Sequence, residues 1–196
     1  MRLYDIGRKP VTWFFERFFG LEVIGRENVD RVPPERGILF CSNHISNLDP
    51  PAVGVAVPRE LSYMAKEELF KIPLFKQLIV SLNAFPVKRG AGDRQALKTA
   101  LKILNDGRNL LMFPEGHRNK SGVIGPAKPG AGFLALRSDA AVIPVAIIGR
   151  YKLFGKMKIV IGEPIDLSEL KARKAKAGEA AEAIMERIKA LKASYE

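Results

Sequence analysis

Cysteine and histidine are scarce in this chain of 196 residues, which contains one cysteine and two histidines. A single cysteine excludes an intramolecular disulfide. Zinc sites usually draw three or four cysteine or histidine ligands from local clusters, so the composition predicts no structural metal. Cys41 lies in the apolar run GILFC, which favours a small buried side chain. A nucleophilic Cys41 beside His44 is the alternative interpretation.

Long hydrophobic runs are also missing. No uninterrupted apolar run reaches the roughly 18 residues of a spanning helix. The nearest candidate, IPLFKQLIVSLNAFPV, contains Lys76 and two prolines. The basic start of the chain leads into VTWFFERFFG, where Glu16 and Arg17 interrupt the apolar residues, unlike the core of a signal peptide. We therefore expect no export and no spanning helix, so that any membrane contact comes from one face of the protein.

Negative charge is in the minority. The chain has 32 lysines and arginines against 21 aspartates and glutamates, a formal net charge of +11. Such a surface attracts phosphates, coenzyme A, anionic lipid or nucleic acid, and charge alone does not choose among them. The sequence lacks a recognised groove-reading motif or stacking block for nucleic acid, so we expect no nucleic-acid partner.

Apolar strand-like segments alternate with helical ones, with no repeat, low-complexity tract or linker between domains. This pattern predicts a single α/β domain over residues 1–196, with a mostly parallel or mixed central sheet flanked by helices on both faces. An amphipathic helix is expected within residues 1–21, with Pro10 in its first turn. A charged helix is expected over residues 168–194, with Gly178 as a break or weak point within it. Strands are predicted around residues 21–25, 37–42, 60–65, 83–87, 109–113, 142–149 and 156–165.

The segment NHISNLDP places His44 just after a predicted strand and Asp49 five residues later. Residues five apart on a regular helix differ by about 140° in direction, so a turn must join the two side chains. Asp49 could then accept a hydrogen bond from one imidazole nitrogen and leave the other free as a general base, acting on a hydroxyl of the substrate. Alternatively, Asp49 caps the helix beginning at Pro50 and His44 satisfies a buried carbonyl; the two roles are compatible.

Basic turns beside glycines follow several predicted strands. FPVKRGAGD carries Lys88 and Arg89, FPEGHRN carries Arg118, and GPAKPGAG carries Lys128. Each turn alone resembles ordinary solvated surface. Ligands of α/β proteins bind beyond the carboxyl ends of the strands, so together these turns predict one anion-binding site.

Four blocks in this order resemble the glycerolipid acyltransferases, and within them the bacterial 1-acyl-glycerol-3-phosphate acyltransferases. NHISNLDP matches the family's H-x-x-x-x-D motif, AFPVKRG resembles its second block, FPEGHRN its third and VIPVAI its fourth. The blocks span residues 43–147. The residues that carry the resemblance are His44, Asp49, Arg89, Phe113, Pro114, Glu115, Gly116, Arg118 and Pro144.

The resemblance implies a glycerol-3-phosphate acyltransferase-like fold and an acyltransferase that needs no metal or organic cofactor. It would move an acyl group from acyl-coenzyme A or acyl carrier protein to lysophosphatidic acid, giving phosphatidic acid. His44 would take the hydroxyl proton and Asp49 would orient the imidazolium. The phosphate would be held by Arg89 and Arg118.

The acceptor pocket would be shaped by Glu115 and Gly116, and Lys128 is a further candidate for binding the acceptor. His117 departs from the family, which usually has threonine or serine there. This leaves open another lysophospholipid or an aminolipid as the acceptor. Two competing interpretations are a non-enzymatic basic module that binds lipid or nucleic acid, and a hydrolase using Ser42, Ser46 or Cys41.

The aromatic residues of the first helix have two interpretations: they pack on the core, or they enter the headgroup layer while basic residues meet anionic lipid. A lysolipid substrate favours the second. We therefore expect a peripheral or monotopic protein on the cytoplasmic face of the cell membrane. The acyl chain would lie in a groove walled by apolar residues from the segment KIPLFKQLIVSLNAF.

Overall fold

A mixed seven-stranded sheet forms the centre of the protein. The structure is a computed structural model that describes residues 3–88, 92–119 and 121–196. Within these ranges the strands are β1 (Leu21–Ile24), β2 (Ile38–Ser42), β3 (Leu61–Lys66), β4 (Ala84–Val87), β5 (Asn109–Met112), β6 (Ala141–Gly149) and β7 (Met157–Ile161). Their order across the sheet is β1-β7-β6-β2-β5-β3-β4.

The strand directions place most carboxyl ends at one edge. β6, β2, β5, β3 and β4 run parallel to one another, whereas β7 is antiparallel to β6 and pairs in parallel with β1. Five strands therefore deliver the loops that follow them to the same edge of the sheet. The predicted α/β fold with a mixed central sheet is confirmed.

Helices cover both faces of this sheet. They are α1 (Leu3–Phe19), α2 (Asp49–Ala56), α3 (Pro73–Ser81), α4 (Arg94–Asn105), α5 (Pro129–Arg137), α6 (Ser168–Ala172) and α7 (Ala177–Tyr195). In β2, the buried Ile38 and Phe40 join a cluster with α1 and α2, while Leu39 and Cys41 join one with α4, α5 and α7. A strand buried on both faces explains why β2 has no polar alternation. No helix in the described ranges is long and apolar enough to cross a bilayer.

The first helix differs from its predicted start. α1 begins at Leu3 and runs through Pro10, which therefore lies inside the helix and not in its first turn. A proline there removes one helical hydrogen bond. The segment before it is held by tertiary contacts, since the Arg8 guanidinium donates to the carbonyl oxygen of Val55, 3.2 Å away at the end of α2.

The predicted terminal helix over residues 168–194 is divided into α6 and α7. The break falls at residues 173–176, before Gly178, which lies in the first turn of α7. Lys174 has a left-handed φ of 53°, and the amide of Ala175 donates to the Leu170 carbonyl at 2.9 Å. This left-handed residue closes α6, so the chain turns before α7 packs on the sheet.

Candidate active site

The carboxyl edge of the parallel strands gathers most of the predicted site residues. His44 follows β2, Arg118 lies in the turn after β5, and Lys88 directly follows β4. Arg89 lies outside the described residues. These residues follow strands whose carboxyl ends share one edge of the sheet, and that they form one anion-binding site stays a prediction.

His44 and Asp49 form a buried pair, referred to below as the dyad. The Nδ1 atom of His44 lies 2.7 Å from Oδ2 of Asp49. Asp49 is completely buried, and His44 is 9% exposed. A carboxylate can only accept at this contact, so Nδ1 carries the proton and the lone pair of Nε2 is free to accept one. This is the geometry of a general base with its orienting group.

Asp49 also binds the backbone of the turn that precedes it. The amides of Ile45 and Ser46 donate to the same Oδ2 atom at 2.6 and 2.8 Å. α2 begins at Asp49 itself and has no side-chain cap. Since Pro50 and Pro51 have no amide hydrogen, the first turn offers few donors to a cap. The helix-cap interpretation is therefore wrong, because Asp49 serves both the histidine and the turn.

The turn after β5 holds His44 from three directions. The Phe113 ring stacks on the imidazole, with centroids 3.9 Å apart and planes inclined by 16°. The His44 amide donates to Oε1 of Glu115 at 2.9 Å, and its carbonyl accepts from the Asn119 amide at 2.7 Å. Ring and backbone are thus both fixed before any substrate binds.

Glu115 is 1% exposed and connects its own loop, between β5 and α5, to the loop after β2. Its Oε1 accepts from His44, and its Oε2 accepts from the amide of Gly125 at 3.0 Å. Backbone donors thus occupy both carboxylate oxygens. This placement suits a residue that shapes the site, and it is unlike that of a side chain contacting a phosphate directly.

Gly116 and Lys128 lie in contact. Gly116 has a φ of 69°, and a Cβ atom added to it would lie 2.7 Å from Cδ of Lys128. The Lys128 amide donates to the Pro114 carbonyl at 2.8 Å. Glycine is therefore needed for both the left-handed turn and the passage of the lysine side chain.

A basic pocket of about 390 Å³ lies beside the dyad, where Arg118 and Arg150 line it together with Ser46 and Tyr151. A neighbouring pocket of about 590 Å³ shares Arg150. Arg150 and Tyr151 are not among the predicted site residues. Their position in the sequence could have indicated them, because they directly follow the apolar run VIPVAIIG. This run forms strand β6, which is parallel to β2 and ends at the same edge of the sheet.

The departure at His117 lies on the surface of the same turn. Its side chain is exposed, and Nδ1 lies 2.9 Å from the carbonyl oxygen of Glu115. The carbonyl can only accept, so Nδ1 donates and holds the ring to its own turn.

The candidate nucleophiles of a hydrolase are engaged elsewhere. Cys41 is completely buried, and burial raises the pKa of its thiol, which keeps it protonated and unreactive. The Ser42 hydroxyl donates to the Asn43 carbonyl at 3.1 Å, and the Ser46 hydroxyl accepts from the Leu48 amide at 3.2 Å. Among the described residues, no group of three His, Cys, Asp or Glu side chains could hold a metal ion.

Comparisons with known proteins show the family of the chain. The family model described as Acyltransferase matches residues 20–148. The chain is 34% identical over 180 residues to a 1-acyl-sn-glycerol-3-phosphate acyltransferase of Bacillus subtilis (strain 168), covering 88% of each. A Streptococcus pneumoniae protein of the same name is 30% identical over 152 residues, which are 74% of this chain and 56% of the relative.

A solved structure has the same fold. It is the crystal structure of the 1-acyl-sn-glycerophosphate (LPA) acyltransferase PlsC from Thermotoga maritima, with a TM-score of 0.70 and 27% identity. The similarity covers 97% of this chain and 78% of that chain. Because the family model matches residues 20–148, which are most of the chain, the chain belongs to the acyltransferase family.

Proposed function

We propose that the protein transfers a fatty acyl group from an acyl thioester to the free hydroxyl of 1-acyl-glycerol-3-phosphate, giving phosphatidic acid. The observation that carries this proposal is the buried His44–Asp49 pair beside a pocket lined by two arginines. The names of the bacterial relatives support the choice of acceptor.

The first step is attack by the acceptor hydroxyl. Nε2 of His44 removes the hydroxyl proton while the oxygen forms a bond to the thioester carbonyl carbon. The Asp49 carboxylate stabilises the imidazolium that results. General-base catalysis of this kind contributes about 10²- to 10⁴-fold in rate.

The second step expels the thiol. The tetrahedral intermediate re-forms its carbonyl as the carbon–sulfur bond breaks, and the departing sulfur takes the proton from Nε2 of His44. The products are an ester and a free thiol, without an acyl-enzyme intermediate. Coenzyme A and acyl carrier protein present the same thioester, which is already activated toward attack.

Because neither step of this mechanism uses a metal ion, we expect a metal chelator to leave the reaction rate unchanged.

The acceptor phosphate would be bound by the basic rim, which we define as Arg118, Lys128 and Arg150. All three side chains are exposed; Arg118 and Arg150 line the pocket beside the dyad, and Lys128 passes Gly116. The planar fork of a guanidinium matches phosphate oxygens in pairs. Arg89, by the family resemblance, would add a further cation.

The acceptor is a lipid, and α1 offers a surface for its membrane. Trp13 is 60% exposed, Phe154 66% and Leu153 58%, whereas Phe15 and Phe19 of the same helix are buried. The buried side of α1 packs on the core, and we propose membrane contact for its exposed side. We name Trp13, Phe14, Leu153 and Phe154 the aromatic surface. Together with the exposed Lys9 and Arg17, it suits anionic lipid on the cytoplasmic face of the membrane.

Helix α3 supplies a second apolar surface. None of its residues is buried, and Leu74 is 81% exposed. Free apolar area of this extent is typical of a contact site. α3 lies within the segment expected to wall the acyl groove, and we propose this role for its exposed residues, Leu74, Phe75, Leu78 and Val80.

The activity test is thiol release from acyl-coenzyme A with and without lysophosphatidic acid, together with product analysis for phosphatidic acid. We expect acceptor-dependent release by the wild type and its loss in a folded His44→Ala variant. Unchanged release by His44→Ala would contradict the general-base mechanism. Binding of lipid without any release, with either coenzyme A or carrier protein as donor, would favour a non-enzymatic module.

Acceptor identity is tested by competition. Lysophosphatidic acid should outcompete other lysophospholipids and aminolipids, because it offers an unshielded phosphate to the basic rim. Preference for one of the other acceptors would keep the acyl-transfer mechanism and replace the proposed acceptor, with His117 as the first residue to exchange.

Membrane contact can be followed through Trp13, which is the only tryptophan in the chain. Vesicles containing phosphatidylglycerol should shift its fluorescence to shorter wavelength, and Phe154→Ser should weaken the shift. Tyr195→Ser, on the exposed end of α7, is the matched control and should leave it unchanged. An emission spectrum that vesicles do not alter would contradict membrane contact through α1.

A further inference from the structure

Two buried polar atoms lie beside the dyad without a hydrogen-bond partner of normal geometry among the described residues. They are Oδ1 of Asp49 and the hydroxyl oxygen of Tyr151. Burying either group unpaired is unfavourable, and a carboxylate oxygen is the more costly of the two. The first is an acceptor and the second a donor, so each can satisfy the other.

Tyr151 is held in place from the opposite side. It lies two residues after β6, in the connection to β7. Its ring makes edge contacts with Phe15 and Phe19 of α1, at centroid distances of 6.3 and 5.6 Å. This aromatic packing fixes the ring, and the hydroxyl oxygen at its far end is buried.

Tyr151 and Asp49 share neighbours, because Tyr151 lines the same pocket as Ile45 and Ser46, whose amides donate to Asp49. Burial, and after it the Asp49 carboxylate, raises the pKa of the Tyr151 hydroxyl. The phenol therefore keeps its proton and is a donor throughout the neutral range. Meanwhile Oδ2 of Asp49 already accepts from the His44 ring and from two amides. Oδ1 is the atom left for a further donor.

We propose that Tyr151 is a positioning residue whose hydroxyl donates to Oδ1 of Asp49 and thereby keeps Oδ2 on Nδ1 of His44. The catalytic part of this inference rests on the proposed function; the hydrogen bond itself does not. A carboxylate held at both oxygens cannot rotate about its Cβ–Cγ bond, so the imidazole keeps its orientation through the reaction. Through Phe15 and Phe19 the same residue joins the dyad to α1.

The kinetic test uses Tyr151→Phe, which removes the hydroxyl and retains the ring that packs on α1. Tyr195→Phe is the matched control at an exposed tyrosine. We expect Tyr151→Phe to lower kcat about tenfold and leave the acceptor KM within about twofold, because the hydroxyl orients the base and does not touch the acceptor. Thermal unfolding checks that the fold is retained.

A double-mutant cycle separates positioning from direct catalysis. In an Asp49→Asn background, Tyr151→Phe should cause no further loss of kcat, because its effect passes through the carboxylate. A full tenfold loss in that background would overturn the proposal. So would a raised KM with unchanged kcat in the single variant, since that result would place the hydroxyl on the acceptor.

A measurement without substrate distinguishes this inference from the proposed function. The Nδ1 proton of His44 should give its own resonance in NMR spectra, assignable with a His117→Gln variant because the chain has two histidines. Tyr151→Phe should shift that resonance and Tyr195→Phe should not. An unshifted resonance would overturn the proposed hydrogen bond even if acyl transfer is confirmed, whereas a shift without acyl transfer would leave the hydrogen bond standing.

Discussion

The dyad and the basic rim lie side by side at one edge of the sheet, yet they are built in opposite ways. Asp49 is fully buried and Glu115 is 1% exposed, and hydrogen bonds hold both. Arg118 and Arg150 are exposed cations on the wall of a pocket. The group that reacts is thus rigid before substrate arrives, whereas the groups that bind the phosphate keep the freedom of long side chains.

This contrast has a kinetic consequence. A preorganised base acts on the transition state, so damage to it should appear in kcat. An exposed cation acts on substrate binding and is screened by salt, so its loss should appear in KM.

The largest expected effect is that of Asp49→Asn. An amide has one acceptor oxygen for three donors, and its NH₂ group favours the imidazole tautomer with the proton on Nε2, which is useless as a base. We expect kcat to fall about 10²- to 10⁴-fold with little change in KM, measured by thiol release under saturating acceptor. A variant that loses affinity and keeps its kcat would break the contrast between the dyad and the basic rim.

Glu115→Ala should come next, because it leaves the buried amides of His44 and Gly125 without their acceptor. We expect a loss of unfolding free energy of about 1–3 kcal/mol, together with a lower kcat, measured by urea denaturation and thiol release. Glu186→Ala is the control, since its carboxylate makes an exposed ion pair with Lys189 that contributes little. Equal stability of the two variants would contradict the role given to Glu115.

Arg118→Ala should have a smaller effect. We expect the KM for lysophosphatidic acid to rise about tenfold and kcat to stay close to the wild-type value, because one exposed phosphate contact is lost. The salt dependence of KM should also weaken. Arg137→Ala, at the exposed end of α5 away from this edge, is the control. A fall in kcat at unchanged KM would place Arg118 with the dyad.

The smallest effect at neutral pH is expected at Cys41, whose side chain packs among apolar residues on the face of β2 covered by α4, α5 and α7. Because burial raises its pKa, the folded protein keeps the thiol proton, while the unfolded chain loses it above about pH 8.5. Stability should therefore fall as the pH rises above that value, by at most about 1.4 kcal/mol per unit.

The measurement for Cys41 is the free energy of unfolding as a function of pH. The stability advantage of the wild type over Cys41→Ala should shrink between about pH 8.5 and pH 10.5. A constant difference across this window would show that the thiol is not shielded in the folded state.

Much of the fold could be predicted from the pattern of apolar residues. Strands buried on both faces are nearly continuous apolar runs, whereas in helices the apolar residues recur every three or four positions. β2 and β6 were predicted within one residue for this reason. The start of α1 was not, because proline lowers the preference for a helix interior but does not prevent it when Arg8 anchors the segment. The break before α7 was expected at Gly178 but falls at residues 173–176, since a left-handed lysine leaves no mark in composition.

Sequence alone determined the chemistry of the site: a histidine and an aspartate at a spacing that demands a turn, and cations placed where strands end. Tertiary structure decided their partners. In the folded protein, Asp49 accepts from the amides of the turn and does not cap the helix, and Glu115 accepts from backbone amides. Arg150 and Tyr151, about 100 residues away in the sequence, lie beside the dyad. These contacts depend on strand order and direction, which arise only when distant segments pair in one sheet.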